Sequence, residues 1–220
     1  MLDAFGIPYF EKEGFEADDL LATLAVKSLK GKKIERVIIL SGDRDVLQLV
    51  DGNIKVQMPG WNLNQTSLYG AKEVREKFGL EPHQMVDYKS LIGDPSDNIP
   101  GIAGIGPKTA ATLLQKYHTL ENLFDHVKET PLTVQTKLVA GKDTALAAKR
   151  LVELDRGVDI SFQLSELSFN PDWDKVRAEY EDLGFKSIAA KIPGSRVTDE
   201  TESQSEKSKS NKNDDQLKLI

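Results

Sequence analysis

The chain has 220 residues, 39% of them hydrophobic and 29% charged, with a formal net charge of −6 and no cysteine. That length can bury one sizeable core with a small subdomain beside it. The absence of cysteine excludes disulfides and thiolate metal sites, and no apolar run nears the roughly 20 residues of a membrane span. The opening stretch MLDAFGIPYFEKEG lacks the basic and then apolar segments of a signal peptide. A reducing, cytoplasmic setting is the expectation.

In chain order, residues 7–10 read as a short strand. Residues 17–29 carry apolar side chains at Leu20, Leu21, Leu24 and Ala25, which is helical spacing. Residues 36–40 (RVIIL) form a continuous apolar run, the mark of a strand buried on both faces. A short helix over 45–50 and a strand over 54–58 follow. This alternation predicts an α/β core with a parallel sheet and helices on both faces.

From Gly70 onward the strand signals fade, and helices are expected over 71–78, 83–91, 107–117, 120–126, 134–139 and 142–154. Pro107 suits a first helical position, where its missing N–H costs nothing. Further helices are expected over 172–183 and 186–191. Beyond Pro193 the chain is polar and free of aromatic residues, the composition of a disordered tail. The organisation is thus a partial α/β core over 1–69, a helical region over 70–192 and a tail over 193–220. No internal repeat is evident.

Seven carboxylates fall in three short clusters: Glu16, Asp18 and Asp19; Asp43 and Asp45; Asp94 and Asp97. Taken singly, each has an ordinary explanation. Acids favour the first turn of a helix, SGDRD suits a turn with an N-cap, and GDPSDN suits an Asx-turn. Together they point further. A parallel sheet brings the first two clusters to its carboxyl edge, where ligands bind in open α/β folds. Like charges about 4 Å apart repel by roughly 1–4 kcal/mol per pair in partly solvated surroundings. Hard oxygen donors with no His or Cys beside them suit Mg²⁺ or Mn²⁺, and two such ions about 4 Å apart can drive phosphodiester hydrolysis.

Directly after the third cluster comes GIAGIGPKTAATLL. Gly104, Ile105 and Gly106 allow tight turns that aim backbone N–H groups, at a helix N-terminus, toward a phosphate. Lys108 lies beside the turn, with Thr109 next to it and Lys116 further along the helix. Such contacts position nucleic acid without reading its sequence. An ordinary helix–helix turn is the other reading. The net charge is negative, yet between Gly101 and Arg150 basic residues outnumber acidic ones. That fits a basic face beside an acidic pocket, as well as a mixed surface.

EGFEADDLLATLA, SGDRDVLQL and LIGDPSDNIPGIAGIGPKTA, with the helices after them, closely resemble the 5′-nuclease domain of bacterial DNA polymerase I and the flap endonucleases. The match runs in order from about residue 1 to 191. The resemblance implies a resolvase- or PIN-like core followed by a helix-three-turn-helix. It implies two divalent ions held, directly or through water, by Glu16, Asp18, Asp19, Asp43, Asp45, Asp94 and Asp97. It also implies a DNA-gripping hairpin at residues 104–108 with a bound K⁺, and 5′-end or flap cleavage of DNA in replication and repair, at the bacterial nucleoid. The first third of the family domain, with two further strand-end Asp residues and the arch helices, has no counterpart before Met1. An earlier start or a separate chain would supply it. A non-catalytic DNA-junction binder and a PIN-like ribonuclease are the rival readings. The chain ends in QLKLI, and Gln216, Leu217, Leu219 and Ile220 resemble the short peptide by which bacterial replication proteins bind the sliding clamp.

Overall fold

The computed structural model describes residues 1–31, 33–60 and 66–194. The polar tail beyond Gly194, with the clamp-like peptide at its end, lies outside the described residues. The chain divides into two compact units: Phe10–Ser161, and Met1–Tyr9 together with the residues from Phe162 onward.

The larger unit begins with helix α2 (Ala17–Lys30), which follows the four-residue α1 (Leu2–Phe5) of the smaller unit. Strand β1 (Val37–Leu40) pairs parallel with β2 (Ile54–Pro59), and β2 pairs antiparallel with β3 (Thr66–Tyr69). The sheet is therefore mixed, with order β1-β2-β3. A 3₁₀ helix over Asp45–Leu49 leads from β1 toward β2. Helices α3 (Ala71–Phe78) and α4 (Met85–Ile92) come next, then a two-stranded antiparallel hairpin of β4 (Gly93–Asp94) and β5 (Ile99–Pro100). Helices α5 (Pro107–Tyr117), α6 (Leu120–Asp125) and α7 (Leu132–Val152) complete the unit.

Alternation along β2 sends Ile54, Val56 and Met58 into the core, where Ile39 of β1 joins them. Leu47, Leu80, Leu91, Leu114, Leu123 and Leu138 fill the space between the sheet and the helices. Burial of each such side chain stabilises by about 1.5–3 kcal/mol. The opposite face of β1 is not covered: Ile38 is 51% and Leu40 70% exposed. The apolar run RVIIL is therefore buried on one face only. Residues 7–10 form no strand. The helices expected over 134–139 and 142–154 are one continuous α7. Gly141, between the two expected helices, lies within it, and a Cβ there would stand 2.7 Å from Ile102 Cγ2. The glycine makes room for Ile102 and does not end the helix.

Two polar fastenings tie α2 and the 3₁₀ helix to the chain just past α7. Fully buried Thr23 donates to Asp155 O and accepts from Val158 N–H, each at 3.1 Å. Gln48 donates to Val152 O at 2.9 Å and accepts from Leu154 N–H at 3.1 Å. These bonds set where the first turn of α2 and the start of the 3₁₀ helix lie, and both carry acidic residues.

An ion cluster around the buried Asp87 holds α4, α6 and α7 together. Lys149 of α7 reaches Asp87 Oδ1 of α4 at 2.8 Å and Glu121 Oε1 of α6 at 2.7 Å, while Asp87 Oδ2 accepts Leu120 N–H at 3.0 Å. Burial disfavours the Lys149 ammonium, but its hydrogen bonds to Asp87 and Glu121 outweigh that, and its pKa rises above the ordinary 10.5. Lys149→Met leaves the buried Asp87 charge unpaired and is expected to cost about 3 kcal/mol. A folded pKa above the unfolded one stabilises fully below 10.5, and that contribution is lost as pH rises through the folded value. Denaturant titrations should therefore show the wild-type advantage over Lys149→Met shrinking above about pH 10.5.

In the smaller unit, α8 (Trp173–Asp182) and α9 (Lys186–Ala189) form a second core with α1. Val176, Ala4 and Ile192 are buried there, with Phe5 packed edge-on against Trp173 and Tyr180. Asp172 caps α8 by accepting from Asp174 N–H and Lys175 N–H.

Candidate metal centre and hairpin

Three carboxylates converge from two distant segments. Oxygen atoms of Asp45, Asp94 and Asp97 all lie within 4.8 Å of one another. Asp45 opens the 3₁₀ helix after β1, and its N–H donates to Asp43 Oδ1 at 2.8 Å. Asp94 and Asp97 sit on the β4–β5 hairpin. That hairpin closes through two glycines in near contact. A Cβ at Gly101 would lie 2.2 Å from the Ile92 carbonyl carbon, and one at Gly93 2.4 Å from Gly101 N. Gly93 also has φ of +77°, and Asn98, in the turn between Asp97 and β5, has φ of 56°. Glycine at 93 and the short amide at 98 suit these left-handed positions.

Electrostatics bring in the first segment. Burial, followed by the negative charges of Asp43, Asp45, Glu16 and Asp19, pushes the Asp18 carboxyl above its ordinary 3.8. Asp45 is raised too, by burial and by Asp43 and Asp94, against the opposing hydrogen bond from Lys89. The Lys89 hydrogen bond, then that of Ser96, holds Asp94 down at about 2. Asp18, Asp43, Asp45, Asp94 and Asp97 thus share one negative field.

Asp19 and Glu16 stand differently. Asp19 Oδ1 accepts Asp155 N–H at 2.8 Å and Oδ2 accepts Glu16 N–H at 3.2 Å, so both oxygens are engaged with the backbone. Glu16 is exposed at the N-cap of α2.

One participant belongs to none of the three acidic segments. Lys89 of α4 contacts Asp45 Oδ1 and donates to Asp94 Oδ2 at 2.6 Å, with its side chain 9% exposed. A lysine alone among MVDYKSLI, five residues before Asp94, is the signal that marks it. The donor set is all carboxylate oxygen, partly solvated and deficient in positive charge, which fits a hard divalent cation.

The hairpin after the site has its own logic. Gly104 has φ of +78°, and its carbonyl accepts from Lys137 Nζ of α7 at 3.0 Å. Ile105 points into the core, and its N–H donates to Ile102 O at 3.0 Å, so this amide serves the turn. Gly106 caps α5, with Pro107 at its first position. Lys108 and Thr109 lie in the first turn, whose N–H groups have no carbonyl one turn back to bond. Lys108 is exposed, as is Lys116, whose ammonium donates to Tyr117 Oη at 2.8 Å.

The larger unit thus joins a mixed sheet, with acids past the carboxyl end of β1, to a helical hairpin region, and comparison with known proteins places it. Residues 1–79 match the 5′-3′ exonuclease N-terminal resolvase-like domain, and residues 80–175 match the 5′-3′ exonuclease C-terminal SAM fold. The chain belongs to the 5′-3′ exonuclease family.

DNA polymerase I of Caldicellulosiruptor bescii is 40% identical over 202 residues, covering 90% of this chain and 23% of the polymerase. The thermostable DNA polymerase I of Thermus thermophilus is 39% identical over 86% of this chain and 22% of its own length. The chain thus spans less than a quarter of the curated relatives it matches. Among solved structures, T5 5′-exonuclease with bound zinc aligns with a TM-score of 0.59 at 21% identity, over 84% of this chain and 62% of the other. The catalytic core of Rad2 in complex with DNA substrate aligns with a TM-score of 0.57 at 22% identity, over 87% and 65%. At these identities the two structures share the fold.

Proposed function

We propose that the chain is a metal-dependent 5′→3′ exonuclease or flap endonuclease domain that hydrolyses DNA phosphodiesters at nicked, flapped or branched duplexes. The observation that carries this reading is the convergence of Asp45, Asp94 and Asp97, with Asp18 and Asp43 in the same field, followed along the chain by a helix N-terminus able to take a phosphate. The zinc named for T5 5′-exonuclease and the DNA substrate named for Rad2 support metal and DNA for this chain. The all-oxygen donor set favours Mg²⁺ or Mn²⁺.

In this reading Asp45, Asp94 and Asp97 hold one divalent ion, and Asp18 and Asp43, with Glu16 at the rim, hold a second. When bound, the ions supply Lewis acidity toward the phosphodiester and stabilise charge developing on the leaving oxygen. Asp19 orients the start of α2 through its two backbone bonds. Gly106, Lys108 and Thr109 bind a backbone phosphate of the duplex and fix its position, and Lys116 adds charge along α5. Lys137 already supplies a cation to the Gly104 carbonyl, so an ammonium stands where a K⁺ would otherwise neutralise the turn. The C-terminal peptide 216–220 would tether the chain to a sliding clamp and raise its local concentration at a junction.

The test is direct: the purified chain is incubated with a 5′-flap duplex with and without Mg²⁺. Mg²⁺-dependent release of the flap is expected. Binding without cleavage at any Mg²⁺ or Mn²⁺ concentration overturns the catalytic reading. Lys108→Ala is expected to weaken duplex binding alike for all sequences and to reduce the salt slope by about 1. A titration over several salt concentrations measures both.

A further inference from the structure

One positive charge stands among the candidate metal ligands. Lys89 lies on α4, where Val86, Tyr88, Ser90 and Leu91 around it are all buried. A cation in such surroundings loses most of its hydration, and two carboxylates compensate it: Asp45 Oδ1 in direct contact and Asp94 Oδ2 at 2.6 Å. Both belong to the three acids whose oxygens lie within 4.8 Å of one another. The ammonium therefore stands inside the candidate metal site. Asp94 is held from its other side as well, since Oδ1 accepts Ser96 N–H at 2.9 Å and the Ser96 hydroxyl. Asp97 is exposed and has no such fastening among the described residues.

We propose that Lys89 is the resident counter-cation of the acid site: its ammonium holds Asp45 and Asp94 together in the metal-free chain, and a divalent ion binds these carboxylates in competition with it. Lys89 is then a positioning residue that sets how tightly the site holds metal. The physical reason is the charge balance. Five carboxylates in one field repel, and removal of every cation would splay the β4–β5 hairpin from the 3₁₀ helix. With the ammonium in place the fold does not depend on metal, at the cost of weaker metal binding.

This inference rests on reading these acids as divalent-ion ligands, and the experiment separates the two ideas. Mn²⁺ binding by the full chain is measured by calorimetry for wild type, Lys89→Met and Lys89→Arg. Thermal unfolding is followed in EDTA and in Mg²⁺. Lys89→Met, apolar and of similar length, should bind Mn²⁺ about tenfold more tightly, the factor for losing one competing contact of about 1.4 kcal/mol. It should melt lower than wild type in EDTA and gain more from Mg²⁺ than wild type does. Lys89→Arg keeps the charge and bridges two carboxylates more rigidly, so it should match wild type in EDTA and bind Mn²⁺ no more tightly.

Unchanged or weaker Mn²⁺ binding by Lys89→Met overturns the proposal, because a lysine that merely shapes the site would loosen the ligands when removed. Should Lys89→Met fail to fold even with Mg²⁺, Lys89→Arg decides: tighter Mn²⁺ binding than wild type would overturn the proposal, and equal or weaker binding would support it. If wild type binds no Mn²⁺, the metal-site reading itself falls.

Discussion

Asp97→Asn is expected to lower Mg²⁺-dependent cleavage of a 5′-flap duplex by about 10²–10⁴-fold while leaving folding in EDTA unchanged to within about 0.5 kcal/mol. Asp97 is the exposed member of the trio, and its side chain caps no turn or helix in the hydrogen bonds seen among the described residues. The substitution keeps shape and removes one negative charge and one strong metal donor. A ligand that contributes several kcal/mol of charge stabilisation at the reacting phosphate accounts for the range. Asp94 is a poorer probe, because its Oδ2 takes Lys89 and its Oδ1 takes Ser96, so its loss mixes folding with chemistry. Single-turnover cleavage with pre-bound flap DNA separates the chemical loss from any loss of affinity. Cleavage by Asp97→Asn within threefold of wild type would remove Asp97 from the site.

Gly101→Ala is the second large effect, and it acts through the backbone. The added methyl would stand 2.2 Å from the Ile92 carbonyl carbon, 2.3 Å from its oxygen and 2.5 Å from Gly93 N. These are main-chain atoms of α4 and β4, which no rotamer change can move aside. Overpacking usually costs 1–3 kcal/mol, and an immovable backbone places this case at about 3 kcal/mol or above. The hairpin would have to open, carrying Asp94 and Asp97 away from Asp45, so metal affinity should fall along with stability. Gly106→Ala is the control: nothing lies within 4 Å of the added Cβ and φ is −96°, so its melting point should stay near that of wild type. Equal melting points for Gly101→Ala and Gly106→Ala would refute the close-packing account.

The distinction between Asp18 and Asp19 illustrates how far a sequence reading reaches. Adjacent acids at a helix start look interchangeable in the string EADDLL. The fold separates them: Asp18 lies in the field of Asp43 and Asp45, while Asp19 turns to the N–H of Asp155, 136 residues away. The run RVIIL has a similar history. Its composition suits a strand buried on both sides, yet Ile38 and Leu40 are exposed, because burial depends on what packs against each face. The two helices expected over 134–139 and 142–154 likewise prove to be one, with Gly141 between them lying under Ile102.

Local signals were enough for α2, β1, β2, α3 to α6, the three acidic segments and the glycine hairpin opening α5, but not for β3, the short β4 and β5 or the unbroken length of α7. Periodicity, helix-start chemistry and turn composition act over a few residues, so they are written in the string. The tertiary structure alone decided which carboxylates share a field, that a buried lysine stands between two of them, and that a lysine from α7 serves the Gly104 carbonyl. Those contacts join segments far apart in the chain, and their strength depends on burial and on angstrom-scale distance, neither of which is encoded locally.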